Sequence, residues 1–333
     1  MTNNAVTVLG AGSWGTALAM VLARNGIKVS LWDNVTDHIK RLQTERENKQ
    51  YLPGIKFPDN LEPVLNLPEP HENENLVIAV PCHELEAVTK QLAAASNGTL
   101  NICLACKGLT DGSTVLNHEL VKKGLGDNAR VSVLSGPSFA GEVARSLPTA
   151  VTIASEDRDA ANHFANLFHS EVFRIYTNDD IVGVQVGGAV KNVMAIAAGI
   201  ADGLGFGANT RAALITRGLN EIMRLGVALG GKPETFMGLA GLGDLVLTCT
   251  DDQSRNRRLG LALAKGESLE QTQARIGQAI EGARTAGEVI KLADRLSIEM
   301  PITVQVENVL TGKISPKEAV QALLSRDPKH ELE

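Results

Sequence analysis

Apolar and polar positions alternate in blocks through the first half of the chain. Short runs rich in Val, Ile and Leu are separated by segments with helical spacing. Strands that are apolar on both faces must be covered on both faces, so the pattern predicts a mostly parallel sheet between helices. The predicted strands are Val6–Leu9, Val29–Trp32, Leu76–Val80, Leu100–Ala105, Val131–Leu134, Ala150–Ala154 and Val172–Tyr176, with early helices at Ala17–Arg24 and Val35–Glu45.

The pattern changes at about Asp179, after which only helical spacing is found. The sequence therefore predicts an α/β domain of residues 1–178 and an all-α domain of residues 179–333. A proline-rich loop is expected around Pro53, Pro58, Pro63, Pro68 and Pro70. The predicted C-terminal helices are Ile181–Ala201, Thr210–Leu229, Arg255–Lys265, Glu281–Leu296 and Pro316–Leu324.

Composition narrows the function classes. The chain has 333 residues, 44% of them hydrophobic and 21% charged, with a net charge of -6, which argues against nucleic-acid binding. An anionic substrate would need a local cationic pocket. We expect no apolar stretch to be long enough to span a bilayer, and the polar start 1–4 leads straight into a strand. We therefore expect a cytoplasmic protein that is not membrane-embedded.

The four cysteines do not suggest a disulfide scaffold. Cys103 and Cys106 have the spacing of a redox or zinc motif. They lie at the end of an apolar run, however, and residues three apart on a strand point to opposite faces. We expect them to be buried small side chains, and no metal site is predicted.

A glycine motif, Gly10-Ala-Gly12-Ser13-Trp14-Gly15, follows the first strand and opens the first helix. Gly10 permits the tight turn, Gly12 allows a pyrophosphate to approach the backbone, and Gly15 allows close packing of the helix on the strand. The free amides at the helix start bind phosphate. The motif predicts a Rossmann-type dinucleotide-binding domain; an ordinary glycine turn is the alternative.

Asp33 stands at the end of the second strand. An acidic side chain there usually accepts a hydrogen bond from the adenosine ribose and repels a 2′-phosphate, which favours NAD over NADP. The nearby cations Arg24 and Lys28 weaken this argument. A solvated aspartate at the strand end is the alternative interpretation.

Two turns follow buried strands at the edge where open α/β sheets bind ligands. Lys107-Gly108 follows one strand and Ser135-Gly136-Pro-Ser138-Phe139 follows the next. The second turn offers free amides and a hydroxyl group to a polar substrate or to nicotinamide. For each turn alone, a purely structural role is equally consistent with the sequence.

Lys191 is the single charged residue in the apolar helical segment Gly187-Gly188-Ala-Val-Lys191-Asn192. Two glycines inside a helix are each unfavourable by about 1 kcal/mol relative to Ala, so a close backbone approach is expected there. Burial lowers the pKa of a lysine towards values useful for proton transfer. The alternative is a lysine whose ammonium reaches the surface.

A polar segment further along is suited to binding phosphate. Ser254, Arg255 and Asn256 enter a predicted helix, where free amides and a guanidinium make a phosphate clamp. Asp244 is expected to hold the Lys191 ammonium or a substrate hydroxyl. A solvated basic helix start is the alternative.

Together these segments resemble the NAD-dependent glycerol-3-phosphate dehydrogenase family, most closely its bacterial branch. The resemblance spans nearly the whole chain and is most specific in the segment from Gly238 to Thr250, followed by Ser254 to Arg258. The other segments that carry it are Gly10–Gly15, Ala105–Gly108, Ser135–Ala140, Gly187–Asn192 and Gly205–Asn209.

The resemblance implies reversible, NAD(P)H-dependent reduction of dihydroxyacetone phosphate to sn-glycerol 3-phosphate for phospholipid synthesis. It makes Lys191 the proton donor or acceptor. It implies substrate contacts at Lys107, Gly136, Ser138, Lys191, Asp244, Ser254, Arg255 and Asn256. It implies cofactor contacts at Ser13, Trp14, Asn34, Lys107, Ala140, Arg255, Ala279 and Glu281, in addition to Gly10, Gly12 and Gly15 of the glycine motif.

Two positions depart from the family's usual pattern. Trp14 replaces another aromatic, and Asp33-Asn34 stands where basic or neutral residues are common, which puts the NADP preference in doubt. The competing functions are another two-domain dehydrogenase, of the β-hydroxyacid or ketopantoate type, and a non-catalytic dinucleotide-sensing protein. A homodimer is one assembly to test, since the sequence does not decide the oligomeric state.

Overall fold

A computed structural model describes residues 5–67, 74–96, 98–110, 112, 115–327 and 330. Within these ranges eight strands form one sheet in the order β3-β2-β1-β4-β5-β6-β7-β8. All neighbours are parallel except β6 and β7, which confirms the predicted mostly parallel α/β sheet. The strands are β1 Val6–Leu9, β2 Val29–Trp32, β3 Leu61–Val64, β4 Glu74–Ile78, β5 Leu100–Leu104, β6 Ala129–Ser135, β7 Thr149–Ala154 and β8 Phe173–Asn178.

From β1, the strands β2 and β3 are added on one side of the sheet and the strands from β4 onwards on the other. The strand β1 pairs with β2 on one side and with β4 on the other, so that Val6 lies between Val29 and Asn75. In open α/β sheets a crevice forms at such a point, beyond the carboxyl ends of the strands. The topology therefore places a ligand crevice next to the glycine motif that follows β1.

Two strand predictions need correction. The segment Leu61–Val64, predicted as part of a proline-rich loop, is the edge strand β3, where Pro63 is tolerated because only one side of the strand is paired. Pro68 and Pro70 lie outside the described residues. The strand β4 runs from Glu74 to Ile78 rather than from Leu76 to Val80. Glu74 and Asn75 pair with β5, and the buried Asn75 side chain donates to the Ala5 carbonyl at 3.1 Å.

Helices cover both faces of the sheet. The helix that follows the glycine motif is buried from Gly15 to Ala23, as its continuous small and apolar residues require. The helices of this half are α1 Ser13–Arg24, α2 Thr36–Glu45, α3 Leu85–Ala95, α4 Asn117–Leu125, α5 Ala140–Ala144 and α6 Arg158–Phe168.

The C-terminal half is helical over its described residues, as predicted. Its helices are α7 Ile181–Gly203, α8 Ala208–Ala228, α9 Pro233–Phe236, α10 Asp244–Thr250, α11 Arg255–Ala264, α12 Leu269–Ile276, α13 Glu281–Arg295, α14 Pro301–Leu310 and α15 Pro316–Leu324. The sequence did not predict α9, α10, α12 or α14, since most of these are too short to show helical periodicity. A π-helical turn, Leu239–Gly243, leads into α10.

The helix α7 corrects the expectation that no apolar stretch is long enough to cross a membrane. It has 23 residues, and its most apolar stretch of 18 residues has a mean hydropathy of 1.5, so by length and composition it qualifies, alone among the described helices. Yet 94% of its most apolar window is buried inside the protein. It is the central core helix around which α8, α10, α11 and α13 pack.

The four cysteines are buried free thiols, which confirms the burial predicted for Cys103 and Cys106. Cys103 packs in the core on one face of the sheet, whereas Cys106 packs with Cys82 in a separate apolar cluster. The two side chains therefore diverge.

Candidate active site

One cavity of about 1140 Å³ brings together most of the predicted site residues. It lies beyond the carboxyl ends of β1, β2, β4 and β5 and is closed on its other side by residues of α7, α10 and α11. The predicted site residues that line it are Gly10, Gly12, Ser13, Trp14, Asn34, Lys107, Ser138, Ala140, Lys191, Asp244, Ser254, Arg255, Asn256, Ala279 and Glu281.

Two predicted residues lie behind the cavity lining. Gly15 is buried, and a Cβ there would lie 1.9 Å from the Gly10 carbonyl oxygen, so its role is packing. Gly136 is also buried, and its carbonyl oxygen accepts from the Lys107 ammonium at 2.8 Å. Gly136 therefore orients a lysine that does line the cavity.

The glycine turn has the shape needed to hold a dinucleotide. Gly10 has a φ of 105°, and a Cβ there would lie 2.8 Å from the backbone of Ala79. A Cβ on Gly12 would meet nothing within 4 Å, so this residue faces open space at the start of α1. Free amides and an open approach at a helix N-terminus fit a pyrophosphate.

Trp14 connects the glycine turn to the end of β5. Its indole N–H donates to the Ala105 carbonyl at 3.1 Å, and the Lys107 ammonium lies 5.7 Å from the ring centroid. The indole thereby holds the end of β5 against the first turn of α1. A cation over an aromatic face is favourable, so Trp14 also helps to place Lys107.

Asp33 supports the glycine turn directly. One carboxylate oxygen accepts from the Ala11 amide at 2.8 Å and the other from the Val35 amide at 3.0 Å. Arg24 donates instead to Ser146 at 2.8 Å, and neither Arg24 nor Lys28 is among the described residues that line the cavity. Those two cations therefore do not offset the charge of Asp33 there.

Lys191 is buried because α7 passes close to its neighbours at two glycines. A Cβ on Gly187 would lie 2.6 Å from the Ala240 carbonyl oxygen, and one on Gly188 would lie 2.4 Å from the Ser135 hydroxyl oxygen. The close backbone approach predicted for these glycines is therefore present. Lys191 is only 6% exposed, which excludes the alternative of an ammonium that reaches the surface.

The Lys191 ammonium has two hydrogen-bond acceptors on α10. It donates to Asp244 Oδ1 at 2.6 Å and to the Thr248 hydroxyl at 2.7 Å. Burial lowers the pKa of Lys191 to about 8, helped by the positive charge of Lys107 and opposed by Asp244. The ammonium is thus held in place and able to release a proton near neutral pH.

Asp244 joins two lysines. Its second oxygen, Oδ2, accepts from the Lys107 ammonium at 2.9 Å. Burial alone would raise the pKa of Asp244, but Lys107 and Lys191 outweigh that effect and lower it. The carboxylate is therefore ionised, and one buried anion faces two cations.

Lys107 is held from a second direction by the turn after β6. Besides Gly136, it lies 3.3 Å from the Ser138 hydroxyl, which itself donates to the Gly136 carbonyl at 2.8 Å. The sequence left both this turn and the Lys107 turn open between a structural role and a site role. The structure brings them together at one edge of the cavity.

The start of α11 is a second cationic wall. Ser254 caps the helix by accepting from the Arg257 amide at 3.2 Å, while the first amides of a helix have no partner within it. Burial lowers the pKa of Arg255, opposed by the nearby Glu281 carboxylate, and Arg255 contacts Gln278 at 3.3 Å. Arg258 also lines the cavity, and its buried Nε has no hydrogen-bond partner among the described residues.

A chain of amide hydrogen bonds links the two walls. Asn192 donates to the Lys107 carbonyl at 3.2 Å, Asn256 donates to Asn192 at 2.9 Å, and the Gly282 amide donates to Asn256 at 3.0 Å. The backbone next to Glu281 is thereby tied to α11, α7 and the end of β5. These contacts order the lysine wall relative to the arginine wall.

Sequence reasoning missed several of these side chains. Thr248 follows Asp244 by four residues, so helical spacing would have found it if α10 had been recognised as a helix. Asn192 adjoins Lys191 in the segment Gly187–Asn192, but the sequence did not predict its hydrogen bonds. Arg41 and Gln50, which line the far end of the cavity, carry no motif that would have identified them.

Comparisons with known proteins show which family the chain is similar to. Models of the NAD-dependent glycerol-3-phosphate dehydrogenase N-terminus and C-terminus match residues 5–161 and 180–321. A glycerol-3-phosphate dehydrogenase (NAD(P)+) of Pseudoalteromonas translucida is 52% identical over 330 residues, which cover 98% of each chain. The one from Thioalkalivibrio sulfidiphilus is 52% identical over 333 residues, the whole of both chains. The crystal structure of the Coxiella burnetii glycerol-3-phosphate dehydrogenase superposes with a TM-score of 0.93 at 47% identity, covering 97% of this chain and 99% of that one.

Proposed function

Because the chain belongs to the NAD-dependent glycerol-3-phosphate dehydrogenase family, we propose that it reduces dihydroxyacetone phosphate reversibly to sn-glycerol 3-phosphate, using NADH or NADPH. The observation that carries this proposal is one cavity that holds a glycine turn suited to a dinucleotide, a buried lysine and a half-buried arginine. Reduction of a ketone phosphate needs all three elements. The glycine turn would hold the hydride donor, the lysine would supply the proton, and the arginine would bind the phosphate.

Lys191 is the proposed proton donor to the C2 oxygen and the proton acceptor in the reverse direction. Bound NAD(P)H supplies the hydride. Negative charge then develops on the carbonyl oxygen, and the Lys191 ammonium stabilises it and delivers a proton. Asp244 stays ionised and keeps Lys191 and Lys107 directed at the same region of the cavity.

The start of α11 is the proposed phosphate site. Arg255 and the free amides of the first helical turn suit a doubly charged phosphate, and the partial burial of Arg255 strengthens each charge-assisted contact. Fixing the phosphate at a distance from C2 orients the ketone for reaction. The proposed substrate contacts are Lys107, Gly136, Ser138, Lys191, Asp244, Ser254, Arg255 and Asn256.

The proposed cofactor site consists of the glycine turn and the segment that leads from α12 into α13. Gly12 faces open space at the start of α1, and Arg258 on the opposite wall offers an Nε–H that has no hydrogen-bond partner among the described residues. The proposed cofactor contacts are Gly10, Gly12, Ser13, Trp14, Asn34, Lys107, Ala140, Arg255, Ala279 and Glu281, with Gly15 packing beneath the turn. We propose that residues 1–178 are the dinucleotide-binding domain and residues 179–333 the helical substrate-binding domain, with each domain also contributing contacts to the other ligand.

The biological setting follows from the product. sn-Glycerol 3-phosphate is the backbone of glycerophospholipids, so we propose that the reaction supplies phospholipid synthesis in the cytoplasm. A homodimer is the assembly that we propose to test, by light scattering of the purified protein.

A steady-state assay tests the proposed reaction. NADH or NADPH oxidation is followed with dihydroxyacetone phosphate, ketopantoate and a β-keto acid as alternative substrates. We expect turnover only with dihydroxyacetone phosphate. Preference for either acid would support the other two-domain dehydrogenases, and cofactor binding without turnover of any ketone would support a sensing protein.

A further inference from the structure

The far end of the cavity is formed by the residues that follow β2. Asn34, His38, Arg41 and Gln50 line it, and the last three also line an adjoining cavity of about 490 Å³. In Rossmann-type domains the residues after the second strand face the adenosine ribose. If the cofactor binds as proposed above, its 2′ position therefore lies at this end.

Arg41 is the cation at this end that has no charge partner among the described residues. It stands in α2 with an exposed side chain, and its Nη2 donates to Gln50 Oε1 at 2.8 Å. Gln50 is neutral, so the hydrogen bond orients the guanidinium without neutralising it. A planar guanidinium held in one orientation is well suited to a phosphate group.

The acidic side chains in this neighbourhood are already engaged. Glu45 lies 3.5 Å from Lys49, and Glu47 lies 2.9 Å from Lys56 and also accepts from the Gly54 amide. Both oxygens of Asp33 accept from backbone amides. None of these carboxylates pairs with Arg41, so its positive charge is available to bind an anion that enters this end of the cavity.

We propose that Arg41, oriented by Gln50, binds the 2′-phosphate of NADPH and is the residue that allows this chain to use NADPH despite Asp33. The inference rests on the proposed cofactor site. The two cations just before β2 do not fill this role, since Arg24 contacts Ser146 and Lys28 is not among the described residues that line the cavity.

Binding of adenosine fragments tests the inference without any turnover. Calorimetric titrations of adenosine 2′,5′-bisphosphate and 5′-AMP are compared for the wild-type protein, Arg41→Gln and the control Arg24→Gln, which removes the same charge outside the cavity. Loss of a charge-assisted phosphate contact should weaken the bisphosphate roughly 10- to 100-fold in Arg41→Gln. 5′-AMP should change by less than about twofold, and Arg24→Gln should match the wild type.

Other outcomes overturn the inference. Equal losses for the two fragments in Arg41→Gln, no loss for either, or the same loss in Arg24→Gln would each show that Arg41 does not read the 2′-phosphate. Arg41→Lys, which keeps the charge but not the planar fork, should show an intermediate loss. The proposed reaction is assayed separately as wild-type turnover of dihydroxyacetone phosphate with NADH, so its failure would be distinguishable from a failure at Arg41.

Discussion

The Lys191 ammonium lies 2.6 Å from Asp244 Oδ1, and both groups are buried. The other oxygen of the same carboxylate, Oδ2, binds Lys107 at 2.9 Å. One anion between two cations leaves a net positive charge in the part of the cavity where the proposed reaction develops an oxyanion. The arrangement also sets the pKa of Lys191, which burial lowers to about 8.

That pKa gives the reaction a pH dependence with a defined sign. Reduction needs the protonated form of Lys191, so kcat/KM for dihydroxyacetone phosphate should fall as the pH rises above about 8. Oxidation of sn-glycerol 3-phosphate needs the neutral amine and should fall as the pH drops below the same value. Since Asp244 stabilises the ammonium, Asp244→Asn should move both limbs to lower pH. If both limbs of the pH profiles stay at the wild-type pH in Asp244→Asn, the observed pKa does not belong to Lys191.

Lys191→Met should remove the proton donor while keeping a long apolar side chain. Turnover should fall by about 100-fold or more, because a positioned acid contributes that much to such a step. NADH binding, followed by quenching of protein fluorescence, should stay close to the wild-type value. Normal turnover across the pH range in this variant would remove Lys191 from the proposed role.

Arg255→Ala should weaken the substrate through its phosphate. The KM for dihydroxyacetone phosphate should rise by roughly 10-fold or more, since a charge-assisted phosphate contact is lost. Unphosphorylated dihydroxyacetone, already expected to be a poor substrate, should be much less affected. The matched control is Arg275→Ala, whose guanidinium lies 2.9 Å from Glu267 at the exposed surface of α12. Equal losses for both ketones in Arg255→Ala would argue against phosphate recognition by this residue.

Asp33→Asn should shift cofactor choice towards NADPH. The carboxylate repels a 2′-phosphate by on the order of 1 kcal/mol when solvated, so the NADPH/NADH ratio of kcat/KM should rise roughly fivefold. Asparagine keeps an oxygen that can accept from the Ala11 amide, which limits damage to the glycine turn. Asp37→Asn removes an equal charge from the exposed start of α2 and should leave the ratio unchanged. A constant ratio in Asp33→Asn would place the adenosine 2′ position away from this carboxylate.

The sequence by itself determined the features that depend on local pattern. Continuous apolar runs are enough to specify the central strands of a parallel sheet, and Gly10 to Gly15 can form only a few kinds of turn between a strand and a helix. Lys191 could be recognised as buried because it is the single charged residue in an apolar helical segment. Gly187 and Gly188 predicted that another part of the chain packs closely against this helix. Pro63 led to the wrong prediction of a loop, because an edge strand tolerates a proline that a central strand would not.

Only the tertiary structure decided which side chains meet. Lys107 and Asp244 are 137 residues apart in sequence, and they touch because α10 packs on α7 beside the end of β5. The same packing brings Thr248 to Lys191, whereas the pairing of β1 with β2 brings Asp33 to the glycine turn. The tertiary structure also leaves Arg41 as a cation without a charge partner among the described residues. Contacts of this kind depend on distances across the fold, and neither hydrophobic periodicity nor motif spacing contains that information.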